Sequence, residues 1–366
     1  MGQMVMMETN VRQARQSEVA GEAIAGPDEL MLITGAAGFI GSRVVEALLR
    51  AGYTNLRCLV RPSSSLVRLR SITQAFPAAR AEILSGNLLS RDDCSKAARG
   101  AAVVFHLAAA SEKTFPGSYM NCVVTTRNLL DEVVATGCLR RFVNVSSFAV
   151  YSNANLPHNG LLDESCELDS RVLDRAEAYA YSKLKQEQLV EQYGQSSRVP
   201  YVHIRPGAVY GPGVTHLSGR VGVDTFGIFL HLGGSNQLPL TYVDNCARAI
   251  MLAGITRGVE GEAFNVVDDD LPSSRRFLRM YKKQAKSFRS LWVPYRAFYW
   301  FSWAWEKYSR WSEGQLPPAF NRNRCATYWK GNRYSNRKIK DRLGWRQEVP
   351  FAEAARRYFA FVRSVS

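Results

Sequence analysis

The sequence predicts an α/β fold: a doubly wound parallel sheet followed by a smaller C-terminal lobe. Three observations predict it. Short apolar runs alternate with amphipathic stretches as far as residue 206. A glycine-rich turn joins the first apolar run to the first helical stretch. The composition then changes abruptly near residue 270, which marks a second unit. With 366 residues, 46% of them hydrophobic, the chain suffices for one large domain or two intimately joined ones.

Residues 1–28 lack steady periodicity and end in Gly26-Pro27-Asp28, so a mobile, disordered tail is expected there. The strand candidates are LMLITG (30–35), LRCLV (56–60), AEILSG (81–86), AVVFHLA (102–108), RFVNVSS (141–147) and YVHIRP (201–206). Helical patterns cover 39–51, 91–99, 120–136 and 176–194. Apolar strands separated by helices pair in parallel and bury both faces of the sheet. The first unit is therefore expected over 29–205, with 240–268 returning to it. The lobe takes 206–239 and 269–366. In such sheets ligands sit beyond the carboxyl ends of the strands.

Composition narrows the function classes. From Leu271 to Ser366 there are 22 Lys+Arg and 5 Asp+Glu; the rest of the chain holds 25 basic and 27 acidic residues. The basicity, and all seven tryptophans, thus belong to the C-terminal quarter. No apolar stretch is long enough to span a bilayer. The first residues carry no apolar run with a small-residue cleavage site, so a cytoplasmic chain is expected. Seven scattered cysteines without Cys-x-x-Cys read as reduced thiols. The five histidines show no metal-ligand spacing, so no metal is expected.

The turn TGAAGFIG follows the first strand and opens an apolar helix. Gly35 permits the tight turn, Gly38 lets backbone approach a pyrophosphate, and Gly41 lets helix pack on strand. The helix N-terminus then offers unpaired N–H groups to phosphates. This is the context of a dinucleotide-binding, Rossmann-type unit. The second strand ends in CLVRPSSS, with Arg61 where NAD readers place a carboxylate. An arginine suits a 2′-phosphate, so NADP is preferred over NAD. Arg43, Arg68 and Ser63 stand as helpers.

Residues 179–185 read YAYSKLK, in which two Tyr-x-x-x-Lys frames overlap: Tyr179 with Lys183 and Tyr181 with Lys185. Four residues apart on a helix, each pair shares a face. An ammonium beside a phenol lowers its pKa and makes a usable acid/base. The residues themselves leave the choice of frame open.

Together with VSSFAVY (145–151), IRPGAVYGPG (204–213), TGAAGFIG and FHLAAA, this stretch resembles the extended short-chain dehydrogenase/reductase group, the NAD-dependent epimerase/dehydratase family. The resemblance covers about residues 29–270, with a weaker echo in DRLGW (341–345). It selects the frame, because the family pattern Tyr-x-x-Ser-Lys with a later glutamate matches Tyr179, Ser182, Lys183 and Glu187. It implies that Tyr179 is the acid/base, that Lys183 lowers its pKa and binds the nicotinamide ribose, and that Ser147 holds the substrate oxygen. It implies cofactor contacts at Gly35, Gly38, Phe39, Ile40, Gly41, Arg61, Asn87, Leu88, Leu107, Ala108, Lys183 and Pro206. It also implies a homodimer. Two departures stand out. Gly86-Asn87-Leu88 replaces the usual Gly-Asp-Leu, and Asn121 lies one position off the family's helix pattern when Asn128 is aligned.

Phe148-Ala149 follows Ser147 where nucleotide-sugar dehydratases carry an acid, and Leu238 stands where epimerases commonly carry an arginine for the diphosphate. Thr241-Tyr242-Val243-Asp244-Asn245 resembles the 3β-hydroxysteroid and sterol dehydrogenase branch, although it also reads simply as a strand-to-helix junction that closes the fold. The stretch LWVPYRAFYWFSWAWEKYSRW (291–311) admits three readings: a buried helix lining an apolar pocket, a membrane-surface helix, or a nucleic-acid contact. The first two are expected over the third. The resulting expectation is NAD(P)-dependent interconversion of a secondary alcohol and a ketone on a small hydrophobic or sterol-like molecule. Peripheral membrane contact through 291–311 accompanies it. The alternative is a nucleotide-sugar epimerase or reductase.

Overall fold

The structure, a computed structural model, describes residues 23–365 apart from 110, 111, 113, 154, 226, 314 and 316–318. Seven strands form the central sheet: β1 (Met31–Thr34), β2 (Asn55–Val60), β3 (Arg80–Ser85), β4 (Val103–His106), β5 (Arg141–Val145), β6 (Tyr201–Pro206) and β7 (Ala263–Val266). Their order is β7-β6-β5-β4-β1-β2-β3, and every neighbouring pair is parallel. The chain leaves β1 in one direction and returns at β4 in the other. That switch point opens a crevice above the C-terminal ends of β1 and β4.

Helices over the sheet are α1 (Gly41–Arg50), α2 (Val67–Gln74), α3 (Arg91–Ala98), α4 (Phe115–Tyr119), α5 (Thr125–Thr136), α6 (Ala178–Ser197) and α7 (Val243–Ile255). Successive strand residues feed opposite layers, as the pleat dictates. Ile33 and Phe105 pack with α1 and α7, whereas Leu32 and Val104 pack with α3, α5 and α6. With both faces covered, β1, β4 and β5 are buried throughout.

The lobe holds α8 (Ser274–Gln284), α9 (Tyr295–Trp311), α10 (Arg322–Trp329), α11 (Arg337–Leu343) and α12 (Phe351–Val365). It also holds a three-stranded sheet of 222–225, 228–231 and 290–292, and two strand pairs tie it to the first unit, 208–210 with 240–242 and 160–162 with 332–334.

Boundaries differ from expectation in two places. Residues 23–28 pack against the sheet unit and are not tail: Ile24 N donates to Ile255 O at 2.9 Å, and Ala25 is buried. Residues 1–22 of the expected tail lie outside the described residues. Residues 337–345, expected in the lobe, join the sheet unit instead: Ile339, Leu343 and Trp345 enter the α1–α7 core, and Trp345 Nε1 donates to Asn245 O at 3.0 Å. The Thr241–Asn245 segment does close the fold as a strand-to-helix junction. Asp268 there accepts from Tyr242 N at 2.8 Å and Asn245 Nδ2 at 2.9 Å.

Candidate active site

The glycine turn is shaped by backbone crowding. Gly35 has φ +69°, a left-handed conformation. A Cβ on Gly41 would stand 2.1 Å from Gly35 O, so no side chain fits there. No side chain caps the start of α1, and its first turn holds no acidic residue. Neither Phe39 N nor Ile40 N has a backbone acceptor among the described residues. These amides and the positive end of α1 make a ready cradle for phosphate.

Two cavities meet over this turn and share Gly35, Gly38, Leu107 and Ala109. The first, about 330 Å3, is lined by Arg61, Asn87, Leu88 and Ala108. The second, about 270 Å3, is lined by Phe39, Ile40, Gly41, Ser147, Tyr179, Lys183 and Pro206. The catalytic and cofactor-contact residues expected from the sequence thus border one elongated cleft at the switch point. A longer groove of about 840 Å3 runs along α1 and α7, and of the expected residues it is lined by Arg43 but by none of the catalytic or cofactor-contact set.

At the Arg61 end, Ser64 and Ser65 line the cavity. Arg61 is exposed, and no carboxylate pairs with it among the described residues. The other expected helpers are elsewhere. Arg43 pairs with Glu46 at 3.0 Å and Asp244 at 3.2 Å along the longer groove, and Arg68 donates to Pro212 O. Asn87 Oδ1 accepts from Leu89 N at 3.0 Å, which leaves its amide NH2 for a ligand. Asn121 lines the same cavity. It lies in a π turn, Met120–Val124, inserted between α4 and α5. The extra residue of that turn restores Asn121 to the cleft face despite its displaced position in the sequence.

At the other end, β5 and a 3-10 turn at Phe148–Val150 place Ser147 in the cleft, and its Oγ accepts from Ala149 N at 3.2 Å. Helix α6 presents Tyr179 beside it. Burial pushes the Tyr179 phenol up to about 12, while a hydrogen bond with Ser147 pulls the other way. Tyr181 faces away from the cleft. It packs on Phe115 and Tyr119, with Lys185 over its ring at 5.9 Å.

Lys183 differs from expectation. Its ammonium turns into the protein, donating to Val145 O at 2.7 Å and Gln186 Oε1 at 2.9 Å. Burial, not a neighbouring charge, dominates the Tyr179 pKa, so the phenol is raised and not lowered. One Lys183 proton remains for a ligand.

Behind Lys183 lies a buried polar chain that the sequence did not reveal. Gln186 Nε2 donates to Thr126 Oγ1 at 2.8 Å, Thr126 Oγ1 meets His106 Nε2 at 2.8 Å, and His106 Nδ1 meets Thr34 Oγ1 at 2.9 Å. Thr34 Oγ1 accepts from Ala108 N at 3.2 Å. Since Thr126 donates to Cys122 O, the pattern puts the imidazole proton on Nε2. Burial and the Lys183 charge hold His106 neutral, with its pKa down to about 3.

Glu187, part of the tyrosine pattern, is wholly buried and serves packing. Its two oxygens accept from Arg205 at 3.0 and 2.7 Å, tying α6 to β6. Among the described residues, Glu187, Glu191 and His203 bring three ligand-type atoms together, but Arg205 already occupies both Glu187 oxygens.

The lobe packs a buried cation against residues that flank Ser147 and Tyr179 in the sequence. Phe148 stacks on Tyr334 at 5.7 Å, and Tyr328 OH donates to Glu177, two residues before Tyr179. Arg220 joins these two tyrosines. It lies 5.3 Å over the Tyr328 ring, hydrogen-bonds Tyr334 and donates to Thr327 O at 3.1 Å. It is 9% exposed and has no carboxylate partner among the described residues.

The expectation that 291–311 lines an apolar pocket is not met. Helix α9 buries a narrow stripe, Phe298, Ser302 and Ser309, and turns Trp300, Trp303 and Trp311 to solvent. None of these rings lines the cleft.

A family model described as the NAD dependent epimerase/dehydratase family matches residues 31–266. A trifunctional UDP-glucose 4,6-dehydratase/UDP-4-keto-6-deoxy-D-glucose 3,5-epimerase/UDP-4-keto-L-rhamnose-reductase of Arabidopsis thaliana is 26% identical over 258 residues, 64% of this chain and 36% of that protein. This chain therefore spans well under half of that relative's length. A 3beta-hydroxysteroid-dehydrogenase/decarboxylase of the same plant is 25% identical over 353 residues, 89% of this chain and 78% of its own. Among solved structures, gox2253 superposes with a TM-score of 0.72 at 23% identity, over 93% of this chain and 99% of that one. A UDP-glucuronic acid 4-epimerase from Bacillus cereus in complex with NAD gives 0.68 at 20% identity, over 92% and 99%. These two likenesses show a shared fold.

Proposed function

The chain belongs to the NAD dependent epimerase/dehydratase family, and from that premise we propose that it interconverts a secondary alcohol and a ketone on a hydrophobic or sterol-like substrate. The observation that carries the reading is the meeting of Ser147, Tyr179 and Lys183 at one end of the dinucleotide-shaped cleft. A bound nicotinamide dinucleotide supplies or takes the hydride. The glycine turn fits it, since Gly41 leaves no room for a Cβ and the Phe39 and Ile40 amides are free. Lys183 keeps one N–H for a ribose hydroxyl.

Tyr179 moves the proton. With its pKa near 12, the phenol is protonated at neutral pH and ready to protonate a carbonyl oxygen as hydride reaches the carbon. Ser147 Oγ donates to the same oxygen, where negative charge develops. NADP is the preferred cofactor in this reading, because Arg61, Ser64 and Ser65 rim the far cavity and no carboxylate ends β2.

An apolar substrate is supported by three features. Phe148 follows Ser147 in place of an acid and is buried against Tyr334. Leu238 is core, not a phosphate clamp. The similarity to the hydroxysteroid dehydrogenase runs along 89% of the chain. Arg220 favours a second reading, a nucleotide-sugar epimerase or reductase. A buried guanidinium without a counter-charge is costly unless a ligand supplies one. Thermal-shift measurements with NADP(H) plus a 3-ketosteroid, against NAD plus UDP-glucose, separate the readings. Stabilisation and turnover by the first pair support the primary reading. Stabilisation by UDP-glucose, lost in Arg220→Leu, overturns it.

A further inference from the structure

We propose that α8, the strand 290–292 and the outer face of α9 form a docking surface for an anionic lipid bilayer. The inference stands apart from the substrate reading. The outer face of α9 exposes Trp300 at 64% and Trp311 at 77%, with Phe301, Trp303 and Tyr308 also exposed. So large a bare aromatic face marks an interaction site. At 3.6 residues per turn, Arg296, Lys307 and Arg310 run along one edge of this face. Aromatic rings beside cations are what the headgroup boundary of a bilayer accepts.

A second element supplies the charge. Arg275, Arg279, Lys282 and Lys283 recur along α8 around an open concavity of about 450 Å3. None of the four pairs with a carboxylate among the described residues. Trp292, 52% exposed, links the two elements, with the Arg275 guanidinium 5.6 Å over its ring. Between Leu271 and Glu313 there are ten Lys+Arg and two Asp+Glu, and Glu306 is occupied by Arg310 and Arg322. The uncompensated charge needs an anionic partner, such as phosphate headgroups. No helix among the described residues is long and apolar enough to cross a membrane, so α9 would lie in the surface.

Two other occupants fit less well. A second copy related by a two-fold axis would set this cationic patch against itself. Single-stranded nucleic acid needs rings interleaved with cations in one groove, whereas here the exposed rings of α9 sit on a convex helix and the α8 concavity is lined by His231, Leu278 and the four cations, with no aromatic floor.

The full chain tests this by co-sedimentation with vesicles of phosphatidylcholine alone or mixed with phosphatidylserine, including brominated acyl chains. Binding to the anionic vesicles, weakened by salt and accompanied by bromine quenching of tryptophan fluorescence, is expected. Arg279→Glu with Lys283→Glu should reduce partitioning about tenfold or more. Trp300→Ser with Trp311→Ser should cut the quenching severalfold, leaving only what Trp292 and Trp303 contribute. All four side chains are exposed, so melting temperatures should stay unchanged, which separates lost docking from misfolding. Equal, weak sedimentation with both vesicle types overturns the proposal. So does binding of a single-stranded oligonucleotide without vesicle binding, or a concentration-dependent dimer that the tryptophan changes dissolve.

Discussion

Tyr179 and Tyr181 stand two residues apart and meet different surroundings. One faces the cleft beside Ser147; the other packs under Phe115 and Tyr119. Tyr179→Phe should therefore lower kcat by about 10^2 to 10^4, while Tyr181→Phe should retain activity; steady-state rates on one substrate decide. The pH profile follows from the same residue. Because burial raises the phenol to about 12, kcat/KM for ketone reduction should stay flat through neutral pH, and kcat/KM for alcohol oxidation should climb with pH. At the cleft's other end, Arg61→Ala should weaken NADPH binding about tenfold or more and leave NADH nearly unchanged, as nicotinamide fluorescence titration would report. The cleft residues were legible in the sequence because glycine spacing and Tyr-Ser-Lys order are local patterns. The Lys183 orientation was not. It depends on Gln186, Thr126 and His106, which meet only through folding of α5, α6 and β4.

The elements carry the site through a few buried joints. Glu187 and Arg205 lock α6 to β6, and Arg205 also donates to Tyr151 OH at 2.8 Å. Glu187→Gln should cost about 3–5 kcal/mol, because it strands a buried guanidinium, and the loss should appear as a lower urea midpoint. Gly41→Ala should abolish NAD(P)H binding, since the added carbon collides with Gly35 O. The six strands expected from apolar runs are all present, with ends shifted by at most two residues and 201–206 unshifted. β7 was less legible: AFNV is short and flanked by acidic residues, and only its neighbour β6 makes it a strand. The π turn at Met120–Val124 escaped periodicity altogether, because one inserted residue breaks the 3.6 repeat.

Over the whole molecule, buried tyrosines make stability depend on alkaline pH. Several tyrosines are buried in both units. Tyr179, Tyr193 and Tyr328 are all pushed up to about 12, in each case by burial first. A raised folded value means that the native state keeps protons the unfolded chain has lost. This contribution to stability is full below pH 10 and is lost as pH rises toward 12. Urea unfolding should accordingly show stability falling through that window. The charge break near residue 270 is a break of composition, and Trp345 shows that the chain returns to the sheet unit after it. A tryptophan-rich stretch looks alike whether it lines a pocket or faces solvent, and only the narrow buried stripe of α9 decided between them. In the proposed reaction the cleft from Arg61 to Tyr179 directs hydride to a carbon whose oxygen Tyr179 protonates. Its most direct test follows deuterium from 4-deuterated NADPH into a ketosteroid by mass spectrometry. The native chain should give a deuterated alcohol, and Tyr179→Phe, which should still bind NADPH, should form it about 10^2 to 10^4 times more slowly. Equal deuterium transfer by Tyr179→Phe, or a native chain that binds neither NADPH nor NADH, would contradict it.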